Sequence, residues 1–62
     1  MQYYWFEIIT KGSYVEGKQF LVRANDILQA QQLAKYYFPN KQLRCYGLVD
    51  KTSFNISEIT IY

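Results

Sequence analysis

One helical stripe governs what this chain can become. From Ile27 to Phe38 the apolar residues fall at Ile27, Ala30, Leu33, Ala34, Tyr37 and Phe38. Steps of three and four place them along one side of an α-helix. Gln29, Gln31, Gln32, Lys35 and Tyr36 take the wet side. Asn25-Asp26 supplies an N-cap and an acidic first turn. Pro39 stops the segment, because a proline pushes the residue before it out of the α region. The remaining hydrophobic residues alternate, as strands do. A single helix of about twelve residues can cover only one face of a sheet.

The alternating segments number four. Gln2 to Lys11 is rich in aromatic and β-branched residues and reads as a strand. Gly12-Ser13-Tyr14-Val15-Glu16-Gly17 is a glycine-bracketed reversal leading to a second strand from Lys18 to Ala24. Its Phe20, Val22 and Ala24 oppose Gln19, Leu21 and Arg23. Gln42 to Val49 is a third strand, with Leu43, Cys45, Gly47 and Val49 on one side and Arg44, Tyr46 and Leu48 on the other. After the polar turn Asp50-Lys51-Thr52-Ser53, a last strand lies within Phe54 to Tyr62 and is clearest from Glu58 to Tyr62. Phe54 and Ile56 differ in parity from Ile59 and Ile61, which calls for a bulge near Ser57. The expected fold is α+β: one domain over residues 1–62, order β-β-α-β-β, two hairpins joined by the helix. The helix packs on one face of a mostly antiparallel four-stranded sheet. The pattern leaves open which later strand lies beside the first.

Chemistry is scarce. With no histidine and only Cys45, neither an intrachain disulfide nor a tetrahedral zinc site can form. Stability in 62 residues must then come from packing and self-association, and seven tyrosines, four phenylalanines and one tryptophan supply the material. Cys45 has Arg44 as its sequence neighbour, but adjacent strand residues point to opposite faces. It is read as a buried, inert thiol. Glu7, Glu16, Asp26, Asp50 and Glu58 are scattered; a cross-strand Glu7–Glu58 pair is conceivable, yet solvated sheet positions explain both. Gly12, Gly17 and Gly47 match no phosphate-binding spacing. The expectation is no enzyme, no cofactor, no metal and no small-molecule substrate. Apolar runs of a few residues are too short for a membrane span, and no basic-then-apolar leader follows Met1, so the cytoplasm is the expected compartment. A net charge of +2 and a pI near 8.8 fall below the usual range of nucleic-acid-binding domains.

The first strand is apolar on both sides. Tyr4, Phe6 and Ile8 are assigned to the core because the other parity carries Glu7 and Lys11. The face away from the helix then shows Tyr3, Trp5, Ile9, Leu21, Tyr46 and Leu48, with Arg23 and Arg44 among them. Such a face could be plain cross-strand pairing left half in water. It could stack single-stranded nucleic acid on its aromatics while arginines follow the phosphates. It could bind protein, since Tyr, Trp and Arg dominate interface hot spots. We take the last as the expectation: a homodimeric interaction protein that occupies a partner's surface. An accessory or inhibitor protein of a mobile element is one such role, though no residue argues for it. Single-stranded nucleic-acid binding is the alternative.

Overall fold

The computed structural model describes residues 1–9, 17–50 and 59–62. The reversal residues 12–16, the turn at 51–53, Glu58 and the bulge expected near Ser57 lie outside the described residues. The elements are β1 (Gln2–Ile9), β2 (Gln19–Ala24), α1 (Ile27–Tyr37), β3 (Gln42–Val49) and β4 (Thr60–Ile61). They form the expected α+β arrangement, with the sheet in the order β3-β1-β2-β4. β1 pairs antiparallel with both β2 and β3.

Among the described residues the second expected hairpin is not seen. β4 lies beyond β2 and runs parallel to it, so the sheet is mixed and β3 and β4 are its opposite edges. The crossover explains half of this. A helix leaving the end of β2 returns the chain in the direction of β2, and β3 then pairs antiparallel on the open side of β1. β4 takes the far side of β2, the edge opposite β3. Two main-chain bonds tie the chain end there: Tyr62 N donates to Leu21 O at 2.8 Å, and Arg23 N donates to Tyr62 O at 3.1 Å.

The core lies between the sheet and α1. Tyr4, Phe6, Phe20, Val22 and Ala24 face the helix, which meets them through Ala30 and Ala34. Two alanines at the contact let the helix axis approach closely. The stripe is consequently narrower than expected: Ile27 and Tyr37 sit on its margins and are exposed. Phe20 is the hub, with its ring centroid 5.5 Å from Phe6, 4.8 Å from Phe38 and 5.5 Å from Tyr62. Aromatic pairs of this kind add about 0.5–1.5 kcal/mol each beyond their buried area.

The helix start is a reciprocal cap. Asp26 Oδ1 accepts from Gln29 N at 2.8 Å, and Gln29 Oε1 accepts from Asn25 N at 2.7 Å. The acidic group is thus the cap itself, and the first turn holds no other. Such a cap contributes about 1 kcal/mol. At the other end Phe38 N donates to Ala34 O at 3.0 Å before Pro39 breaks the pattern.

Candidate interaction surface

The parity assigned to β1 holds: Tyr4 and Phe6 lie beneath the helix, and Trp5 looks away from it. What Trp5 meets there is other protein. Its ring lies 4.4 Å from that of Tyr46 at an interplanar angle of 30°. The Tyr46 hydroxyl donates to Glu7 Oε1 at 2.7 Å, and Gly17 N donates to Glu7 Oε2 at 3.1 Å. Glu7, expected in water, is only 7% exposed, and each of its carboxylate oxygens has a donor. A buried carboxylate needs such donors to offset its lost hydration. Here they bolt β1 to β3 and to the entry of β2. The hydrogen bond to Glu7 pushes the Tyr46 phenol above its ordinary value; burial and the Glu7 charge add to this, and Arg44 opposes it.

Gly17 completes this corner. A Cβ there would collide with the Ile8 carbonyl, so only glycine brings its N–H to Glu7 while Ile8 N donates to Lys18 O at 2.8 Å.

Tyr46 reaches Trp5 because β3 is bulged. Cys45 pairs with Phe6 and Gly47 with Trp5, leaving Tyr46 as the extra residue between them. Gly47 has φ 99°, a backbone setting that costs glycine little. The bulge reverses the parity of the rest of β3. Leu48 therefore stands opposite Tyr4 on the helix side, whereas strict alternation places it with Trp5. It is 59% exposed there.

The other nominated residues divide. Arg23, Arg44 and Tyr46 are exposed, and Tyr3, Trp5 and Ile9 are half-buried. Leu21 offers no surface at all: it is 0% exposed, standing in register between Trp5 of β1 and Ile61 of β4. Neither this burial nor the parallel fourth strand beside β2 could be read from alternation. The far face is therefore a partly closed layer built around the Trp5–Tyr46–Glu7 cluster.

The more open apolar surface borders β3 on the helix side. A groove of about 420 Å³ runs between α1 and β3, lined by Phe6, Leu28, Leu43 and Cys45, with Gln31, Gln32 and Lys35 on its rim. Cys45, expected to be buried, is half-exposed in its wall. Leu28 is 67% exposed and sits one position off the helical stripe. A second consecutive aliphatic beside Ile27 was the available signal for it. β3 itself is an edge strand of eight residues, and among the described residues nothing pairs with its outer side.

Among the described residues no three His, Cys, Asp or Glu side chains gather to hold a metal, and no helix is long and apolar enough to cross a membrane. No family model matches the chain, and neither a curated protein nor a solved structure is significantly similar to it.

Proposed function

We propose that this chain is a non-enzymatic protein-interaction module, acting in the cytoplasm, that engages its partner along β3. The observation that carries this reading is the eight-residue outer edge of β3, flanked by the exposed Leu48 and the groove at Leu28, Leu43 and Cys45. Edge strands offer a row of main-chain donors and acceptors, and a strand added there gains affinity from the ladder and selectivity from alternate side chains. Three of the residues nominated from sequence, Arg44, Tyr46 and Leu48, lie on this strand. The lone thiol Cys45 suits a reducing compartment.

Capture from host extract on immobilised protein tests the reading. Wild type and Arg23→Glu, which alters only the far face, should retain a protein that Leu48→Lys loses. Retention by Leu48→Lys would move the site off β3. Labelled single strands supply the counter-test: affinity that falls steeply with salt and disappears in Arg23→Glu would favour nucleic-acid binding instead.

A further inference from the structure

We propose that β3 pairs antiparallel with β3 of a second copy, across a two-fold axis that passes between Tyr46 and Gly47. The inference rests on the β3 reading above and names its partner. A bulged edge ordinarily resists strand addition, since a straight strand cannot follow the bend. A second copy carries the same bend at the same residues.

The faces of β3 make the match specific. A two-fold axis perpendicular to a sheet keeps each residue on its own face, so the sequence of faces must read alike in both directions from the axis. A regular strand can satisfy this only with the axis on a residue. In β3, register and contacts put Gln42, Arg44, Tyr46, Gly47 and Val49 on the Trp5 side, and Leu43, Cys45 and Leu48 on the helix side. That order is palindromic about the Tyr46–Gly47 bond, the two neighbours that share a face. Pairing there sets Cys45 against Leu48 of the second copy and Arg44 against its Val49. The exposed Leu48 thereby meets the wall of the partner's groove. An axis on Arg44 would oppose two guanidinium groups directly.

The size of the contact sets the strength. Eight residues extend about 26 Å, and the shortest dimension of the molecule is 15 Å. The edge thus presents roughly 400 Å² per copy against the ~800 Å² of a standard interface. Backbone bonds must hold the pair, and the association is expected in the micromolar to millimolar range.

Light scattering over that range should show the mass rising from one chain to two. Leu48→Lys, at an exposed position that the fold tolerates, should raise the dissociation constant about tenfold or more. The register is read by Arg44→Cys combined with Val49→Cys in a Cys45→Ser background. Oxidation should link two chains, whereas Arg44→Cys alone should not, and within one chain the two positions are too far apart to bond. A monomer at every concentration overturns the proposal, as does a dimer that Leu48→Lys leaves intact or that the paired cysteines fail to trap. Monomeric protein whose captured partner still depends on Leu48 would remove the second copy and leave β3 as the interaction edge. Loss of that dependence as well would remove both.

Discussion

The two edges of this sheet are finished by different means. β4 has two residues, and side chains as well as its main chain hold it: Tyr62, just beyond it, packs its ring 5.0 Å from Tyr37 and 5.5 Å from both Phe20 and Phe38. β3 has eight residues and is held through its register with β1, bent once where Gly47 takes a positive φ. One edge is short and fastened by rings; the other is long and shaped by backbone. Edge protection and edge availability thus follow from length and bend more than from composition.

The comparison can be broken in order of severity. Phe20→Ala removes the hub shared by the helix and the β4 end and should cost about 3–5 kcal/mol. A domain of this length has a total stability of about 3–9 kcal/mol, so a urea titration followed by circular dichroism should find the unfolding midpoint lowered by at least about a third. A midpoint near that of wild type would mean that the ring cluster is not the anchor. Tyr62→Ala should cost less, about 2 kcal/mol, and act on one edge. Its signature is faster hydrogen exchange at Tyr62 N and Arg23 N with β3 unchanged; equal acceleration in β3 would show that the edges are not independent.

Gly47→Ala probes the other edge. Nothing within 4 Å would obstruct the added Cβ, so the cost is conformational alone, about 1 kcal/mol. A neutral or stabilising result would show that β3 relaxes out of its bend. The smallest effect is electrostatic. With its proton held by Glu7, folded Tyr46 ionises above the ordinary value of 10.0. The associated stability is complete below that pH and is lost as pH rises through the higher folded value. Glu7→Gln should bring the Tyr46 transition back down, measured as the absorbance difference between parents with and without Tyr46→Phe. An unmoved transition would argue against the Glu7 hydrogen bond as its cause.

Much of this was legible in sequence. The helix, its cap and the facing of Tyr4, Phe6 and Trp5 follow from local periodicity, which needs no knowledge of neighbours. What was not legible depends on pairing. Leu48 changes sides because β3 meets β1 with one residue to spare; Gly47 inside the strand was the available signal, but a glycine alone does not say which residue is extra. β4 lies parallel beside β2, and two residues carry too little period to announce a position; nor does alternation announce that Leu21, on the face away from the helix, is fully buried. Glu7 looked like a solvated carboxylate because its donors, Tyr46 and Gly17, are remote in sequence. Alternation puts Cys45 on the correct face, but periodicity cannot say how far one helix reaches across a sheet, and the thiol is only partly covered.

The brevity of β4 carries a consequence for assembly. A sheet with two long, similar borders can keep adding neighbours and grow into a ribbon; among the described residues this one has a single border long enough to recruit. Once two chains meet along it, each turns only a two-residue stub outward, too short to template another. In the proposed pair growth would halt there, a stopping rule set by geometry without any charge to repel the next arrival.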